Sequence, residues 1–212
     1  DRTLVHAQLV MRRNPERPAG KLPPLELHGQ ELELQAIALN DRELGLGDYQ
    51  ISEDCLTLQP DSESFVIDTS VVIHPETNTA LEGLYKSGSM FCTQCEAEGF
   101  RKITYYLDRP DVMSKFTTTV SAEQKAYPVL LSNGNPIASG SEDDGRHWAT
   151  WEDPFKKPAY LFALVAGDLW AIEDSFTTMS GRNVALRIYV EPENVDKCQH
   201  AMDSLKKSMK WD

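Results

Sequence analysis

Sequence features that mark several common enzyme classes are missing from this chain of 212 residues. It has no H-E-x-x-H motif, no two histidines four residues apart, no P-loop, no G-x-S-x-G and no G-x-G-x-x-G. No apolar run reaches the length of a transmembrane helix, and the first residues do not resemble a signal peptide. The residues alone therefore predict neither a self-contained enzyme nor a protein that spans a membrane.

Positive charge is also scarce. Lysine and arginine number 21 against 33 aspartates and glutamates, which gives a net charge of -12. Surfaces that bind nucleic acid are basic because they must neutralise phosphates. We therefore expect no nucleic-acid partner and no docking on anionic membranes. An acidic chain does suit a cationic ligand, although many proteins are this acidic without having one.

Cysteine is represented by four residues without the spacing of a disulfide framework. This usage is typical of a reducing compartment, so we expect a cytoplasmic protein. Cys92 and Cys95 form a C-x-x-C, which can be a redox dithiol or half of a zinc site. Because Cys55, Cys198 and the five histidines are isolated, no second ligand pair is evident. We expect Cys92 and Cys95 to be reduced packing residues and expect no metal in this chain, with a zinc staple as the alternative.

Short strands dominate the predicted secondary structure. Residues 3–12, 25–27, 31–39 and 64–74 alternate apolar and polar side chains with period two, and polar turns separate them. Residues 14–24 hold four prolines and a glycine and are predicted to be a loop. This pattern predicts a mainly β fold, an antiparallel β-sandwich with short helical turns and one C-terminal helix.

The second half of the chain gives four more local predictions. A helical turn is expected over 109–115, with Asp108 as its cap. Asn133-Gly134 is typical of a hairpin turn. The apolar run 160–166 indicates a strand buried on both faces. Helical spacing begins at Val195, with Asn194 as the expected N-cap.

Both ends of the sequence indicate a piece of a longer protein. Asp1 is not an initiator methionine, and the first residues already have the pattern of a strand. The predicted C-terminal helix is still running at Trp211 and Asp212. We therefore expect a further domain after this helix.

Residues 90–111 are the densest part of the chain in chemically active side chains. A short strand over 91–95 is expected to end near Gly99, with Gln94 inside it and Glu96, Glu98 and Arg101 following. Side chains at a strand end can point into a cleft while the sheet fixes their backbone. On the residues alone, a structural carboxylate bonded to Arg101 or to a backbone N–H is also a sufficient interpretation of Glu96.

The same stretch resembles the bacterial aminopeptidase N family of zinc-dependent gluzincin exopeptidases. The resemblance is carried by N-T-A-L-E-G-L-Y at 78–85, C-T-Q-C-E-A-E-G-F-R at 92–101 and the segment 103–111. Shorter similar pieces occur at 131–135, 145–148, 153–155, 160–168 and 204–212. Before residue 25 little is similar, so the predictions for that part depend on the alternation pattern alone.

The resemblance implies a domain with a supporting role in an enzyme. In that family a β-rich, saddle-like N-terminal domain precedes the catalytic domain, which carries the zinc ligands and the G-A-M-E-N motif. Residues 1–193 would then be the N-terminal domain, and 194–212 a helix leading to the absent catalytic domain, which would be its partner. No catalytic or metal-binding residue is expected in this chain, zinc belongs to the complete enzyme, and the fragment alone should be inactive.

The resemblance also assigns roles to four residues. Gln94 and Glu96 correspond to the glutamine and first glutamate that line the pocket for the first residue of a peptide substrate with a free N-terminus. Glu98 and Arg101 are expected to support that loop. The competing interpretation is a β-sandwich interaction module with no catalytic link, with or without zinc at Cys92 and Cys95.

Overall fold

The structure is a computed structural model that describes residues 2–16 and 23–212. Antiparallel strands form almost all of its regular structure, and a single α-helix lies at the C-terminal end of the described residues. Three short 3₁₀ segments cover Phe100–Lys102, Ala159–Leu161 and Pro192–Lys197. The strands and the helix are β1 (Thr3–Arg12), β2 (Leu25–His28), β3 (Glu33–Leu39), β4 (Arg42–Glu43), β5 (Tyr49–Ile51), β6 (Cys55–Leu58), β7 (Ser64–Ile73), β8 (Gly83–Ser87), β9 (Met90–Gln94), β10 (Ser114–Glu123), β11 (Val129–Ser132), β12 (Asn135–Ser141), β13 (Arg146–Lys157), β14 (Leu164–Gly167), β15 (Trp170–Thr177), β16 (Asn183–Val190) and α1 (Gln199–Trp211).

The strands form five antiparallel sheets in the described part of the chain. Their orders are β1-β7-β3-β4, β2-β6-β5, β11-β14-β9-β8, β10-β13-β12 and β15-β16. In the first sheet β7 lies between β1 and β3, and β1 pairs with it along its whole length, from Thr3 opposite Ile73 to Arg12 opposite Ser64. The prediction of a mainly β, antiparallel fold with one C-terminal helix is confirmed.

The main hydrophobic core lies between the sheet of β7 and the sheet of β6. Ile67 and Val71 of β7 and Leu27 and Leu56 of the other sheet are fully buried in one cluster. The alternation predicted for residues 64–74 is confirmed in β7, where period two places every second side chain on the same, buried side of the strand. Its members Phe65, Ile67, Thr69, Val71 and Ile73 are all buried.

The segment that follows β9 enters the same core. Phe100 packs edge-to-face on Tyr106, Phe116 and Phe162, with ring centroids 4.9–5.8 Å apart. Such aromatic contacts add directional preference to the burial of apolar area. The chain directly after Gly99 is therefore anchored in the main hydrophobic core.

Two of the local predictions for the second half are wrong in their pairing or class. Asn133-Gly134 does not close a hairpin, because β11 pairs with β14 and β12 pairs with β13. Gly134 has φ +88°, and a β-carbon there would collide with the backbone of Glu152, so this glycine serves a close approach between strands. Residues 109–111 form only a turn, and β10 begins at Ser114, so no helical turn extends over 109–115.

Two further predictions are corrected near the C-terminal end. The apolar run 160–166 is not one strand, because it opens in a 3₁₀ turn at Ala159–Leu161 and becomes strand only at Leu164. Asn194 does not cap α1, since it lies within the 3₁₀ segment Pro192–Lys197 and the helix begins after Cys198. The predicted division of the chain at 193/194 stays a prediction.

In the predicted loop 14–24, the described residues are outside any strand, and 17–22 lie outside the described residues. No helix within 2–16 and 23–212 combines the length and the apolar character that a bilayer crossing requires.

Candidate substrate-binding turn

Gln94 is the last residue of β9, which is an inner strand of its sheet. β8 pairs with β9 on one side, where Gly83 lies opposite Gln94, and β14 pairs with it on the other. The Thr93 hydroxyl accepts a hydrogen bond from the Leu164 amide at 2.9 Å, which ties the end of β9 to β14. The sheet thus fixes the backbone at Gln94, while the side chain of that residue is exposed.

A tight turn follows β9, and we call residues 95–99 the 95–99 turn. The Gly99 amide donates to the Cys95 carbonyl at 2.8 Å and closes it. The peptide bond between Glu96 and Ala97 is cis. Cys95 is buried beneath the turn, whereas the side chains of Glu96 and Glu98 are exposed above it. Both predicted carboxylates are therefore exposed to solvent, as is the side chain of Gln94.

Gln94 and Glu96 are joined by a hydrogen bond. Nε2 of Gln94 donates to the main-chain carbonyl oxygen of Glu96 at 3.0 Å. Nε2 is engaged in this way, and the side-chain carbonyl oxygen Oε1 is the acceptor of the same amide group. In the described part of the chain, the Glu96 carboxylate has no ion-pair partner, so the alternative of a structural carboxylate bonded to Arg101 is not what the structure shows.

Arg101 lies under the turn and is paired with a different carboxylate, Asp108. Its Nε and its backbone amide both donate to Oδ2 of Asp108 at 3.1 Å, and Nη2 donates to the Asp108 carbonyl oxygen at 3.0 Å. Arg101 and Asp108 are both buried. The remaining terminal nitrogen, Nη1, lies 3.2 Å from Oε2 of Glu98. Glu98 and Arg101 are thus in contact, which fits their predicted roles as supports of the turn.

Asp108 is the residue of this site that sequence reasoning missed. It was assigned to cap a helical turn that does not form. Its partner Arg101 lies on the far side of the buried segment Ile103 to Tyr106, and no periodic pattern links the two. The one available signal is that Asp108 directly follows the mostly apolar segment 103–107, where a charge is rare unless it is paired.

The cysteines give no sign of a metal centre. Burial raises the pKa of the Cys95 thiol to about 12, and the negative charge of Asp108 adds to that shift. Cys92 lies within β9 opposite Tyr85, and its thiol hydrogen bond raises the pKa of the Tyr85 hydroxyl. Across residues 2–16 and 23–212, no three histidine, cysteine, aspartate or glutamate side chains are grouped so that they could hold a metal ion. The donor set of a zinc site is therefore not formed by these residues, including Cys92 and Cys95.

The exposed face of the turn suits a small cation. The side chains of Gln94 and Glu96 are both exposed, and the Glu96 carboxylate and the side-chain carbonyl oxygen of Gln94 are hydrogen-bond acceptors. Ammonium groups bind to such acceptors by charge-assisted hydrogen bonds. The turn alone is open to solvent, so a ligand held there would need further walls from elsewhere.

Comparisons with known proteins place the fold and this turn in one family. The chain belongs to the family described as the Peptidase M1 N-terminal domain, which matches residues 25–161 and so includes the whole turn. The resemblance to this group of aminopeptidases is thereby confirmed.

Two curated relatives are similar over most of the chain. Aminopeptidase N of Caulobacter vibrioides is 54% identical over 100% of this chain, and aminopeptidase N of Escherichia coli is 53% identical over 89%. The chain spans only 24% and 22% of the lengths of these two proteins. Its similarity is thus to about one quarter of a larger enzyme.

Solved structures give the same picture of the fold. Aminopeptidase A of Legionella pneumophila, in complex with aspartic acid, superposes with a TM-score of 0.93 at 35% identity. The superposition covers 99% of this chain and 24% of the Legionella chain. Leukotriene A4 hydrolase of Saccharomyces cerevisiae superposes with a TM-score of 0.72 at 19% identity over 93% of this chain and 30% of its own. The second likeness shows a shared fold only.

Proposed function

We propose that this chain acts as the N-terminal domain of a zinc aminopeptidase and that Gln94 and Glu96 bind the first residue of a peptide substrate. The observation that supports this most directly is the hydrogen bond from the Gln94 side chain to the main chain of Glu96, which joins two exposed residues within the family-matched region. The Legionella relative, at 35% identity, was solved with aspartic acid, a molecule that carries a free α-amino group.

The chemistry of the proposed recognition is electrostatic. A free α-amino group has a pKa of about 8 and is mostly an ammonium ion at neutral pH. Glu96 would accept a charge-assisted hydrogen bond from it. Oε1 of Gln94 would accept a second one, while Nε2 of the same amide donates to the Glu96 carbonyl oxygen. The turn would therefore recognise the substrate by its cationic N-terminus.

Selectivity for chain ends follows from the cost of leaving a carboxylate unpaired. An internal peptide segment brings no cation to Glu96 once the site closes over it. A buried charge without its partner costs about 3–5 kcal/mol, which corresponds to roughly two to four orders of magnitude in affinity. This difference would make the complete protein an exopeptidase acting on peptides with free N-termini.

Zinc and the hydrolytic step are assigned to another part of the protein. The described residues of this chain do not fit a zinc ion, so bond cleavage needs a catalytic domain supplied by a longer polypeptide, the proposed partner of this one. In the same proposal that polypeptide is cytoplasmic. Zinc would supply an activated water molecule there, and this chain would bind and orient the substrate N-terminus.

The test is a substitution at Glu96 in the complete enzyme. We expect Glu96→Ala to lower kcat/KM on peptides with free N-termini by about a hundredfold or more, since the ammonium loses its charged partner. Glu96→Gln, which keeps the shape and removes the charge, should give most of that loss. Glu123→Ala, at an exposed glutamate at the end of β10, is the matched control and should leave the kinetics unchanged. Near-normal activity of Glu96→Ala would reject the assignment.

A further inference from the structure

The 95–99 turn is held by hydrogen bonds of its own residues and by one contact on its downstream side. Within the turn, the bond from Gly99 to Cys95 and the bond from Gln94 to Glu96 fix the upstream half. The downstream half depends on Arg101, which contacts Glu98 of the turn through Nη1. Whatever orients the Arg101 guanidinium therefore also bears on the position of Glu98, which follows Glu96 by two residues in the same turn.

Asp108 is what fixes that guanidinium. It receives Nε and the backbone amide of Arg101 on one carboxylate oxygen, and its own carbonyl oxygen receives Nη2. The Asp108 side chain is 2% exposed and the Arg101 side chain 11% exposed. Charge-assisted bonds are stronger away from water, because the local dielectric is low. The pair therefore holds Arg101 in a single orientation.

Asp108 is itself tied to the neighbouring sheet. Its backbone amide donates to Nδ1 of His28 at 3.2 Å, and His28 and Tyr106 exchange both backbone hydrogen bonds at 2.8 and 3.0 Å. In the segment after β2, the backbone amide of Gln30 donates to the main-chain carbonyl oxygen of Arg101 at 3.0 Å. A continuous set of contacts thus leads from the end of β2 through Asp108, Arg101 and Glu98 to the turn.

We propose that Asp108 is a positioning residue for recognition of the substrate ammonium. This inference rests on the proposed function of Glu96 and adds a residue that never touches the substrate. Asp108 acts through Arg101 and Glu98 to hold the Glu96 carboxylate at the place where the ammonium binds. Positioning matters because a displacement of about 1 Å in a binding group can cost up to a hundredfold in rate.

The test measures amine recognition directly in the complete enzyme. Two competitive inhibitors are compared that differ only in carrying an α-amino or an α-hydroxyl group, and the readout is the ratio of their inhibition constants. Asp108→Asn should lower the preference for the amine by about five- to tenfold, since the guanidinium loses its charged anchor. The double variant Glu96→Ala/Asp108→Asn should show no smaller preference than Glu96→Ala alone, because Asp108 acts through Glu96.

The control is another buried aspartate in an ion pair. Asp153 is 6% exposed and paired with Lys157 on β13, in a different sheet from the turn. Asp153→Asn should cost stability in the same way but leave the inhibitor ratio within about twofold, since its ion-pair partner Lys157 lies on the same strand and not in the 95–99 turn. A merely structural role for Asp108 would make the two variants behave alike.

The outcomes separate this inference from the proposed function. If Glu96→Ala leaves the ratio unchanged, the proposed function itself fails. If Glu96→Ala lowers the ratio and Asp108→Asn does not lower it more than Asp153→Asn, the role of Asp108 is overturned while the proposed function stands. Should Asp108→Asn not fold, Arg101→Lys is measured instead and should give the same loss. Failure of both variants to fold would assign the pair to the core and also overturn the inference.

Discussion

A β-carbon at Gly99 would lie 2.5 Å from the carbonyl oxygen of Gln94 and 2.9 Å from the amide nitrogen of Gly83. Both obstacles are backbone atoms, which cannot move aside as a flexible side chain could. We expect Gly99→Ala to open the 95–99 turn and to lower the free energy of unfolding by about 1–3 kcal/mol, measured by urea denaturation. Gly47→Ala is the control, because nothing lies within 4 Å of a β-carbon there. Equal stability of the two variants would contradict this account.

Cys95 offers a second test at the scale of one residue. Because burial raises the pKa of its thiol to about 12, the thiol remains protonated at pH 8, and the thiolate is the reactive form. We expect iodoacetamide to leave Cys95 unmodified at pH 8 in the folded protein and to label it in urea, as mass spectrometry would show. Rapid labelling of Cys95 in the folded chain would contradict the burial.

The same pKa has a consequence for stability at high pH. The raised value means that the folded chain keeps the thiol proton after the unfolded chain has lost it. At pH values below the ordinary thiol pKa, the contribution of Cys95 to the free energy of unfolding is fully present. It is lost as the pH rises from that value towards 12.

The candidate site shows what sequence could predict about single residues. A strand ending near Gly99 was enough to place Gln94 and Glu96 at an exposed strand end, because alternation fixes which side chains leave the sheet. Asp108 could not be placed in the same way. Its bonds to Arg101 and His28 join residues brought together by a non-repeating loop, and no period in the sequence encodes such an arrangement.

At the scale of elements, strands with one buried face were the predictable ones. β1 and β7 were found with nearly their full lengths, since one face of β7 is buried throughout. Asn133-Gly134 was misread because a dipeptide can encode a positive φ without specifying which strands it joins. β15 was not predicted at all, and its mostly exposed residues explain why, since little burial means little alternation.

Helix α1 gives a prediction at this scale. Met202 of α1 is 2% exposed. The ion pair between Lys206 of α1 and Asp174 lies at the surface and should contribute little to the stability of the helix. We expect Met202→Ala to cost about 2–5 kcal/mol of local stability, seen as faster hydrogen exchange of the helix amides. Met179→Ala, at a side chain 99% exposed, should change nothing. Unchanged exchange in Met202→Ala would mean that other contacts hold the helix.

The whole molecule explains why the turn can be both exposed and well placed. The residues directly after it enter the core through Phe100, whose ring meets three other aromatic rings. Residues before it belong to an inner strand, β9. The exposed turn is thus fixed at both ends by parts of the fold that are hard to displace, which is the arrangement that the proposed recognition of a substrate N-terminus requires.

The central place of β7 in the first sheet also sets an order of events during synthesis. β1 cannot pair until β7 has been made, because Arg12 lies opposite Ser64 and Thr3 opposite Ile73. At about 5–20 residues per second, a ribosome needs roughly 3–10 s to produce the chain between these two strands. For those seconds Val5, Leu9 and Met11, which later pack against the core, face water or a chaperone.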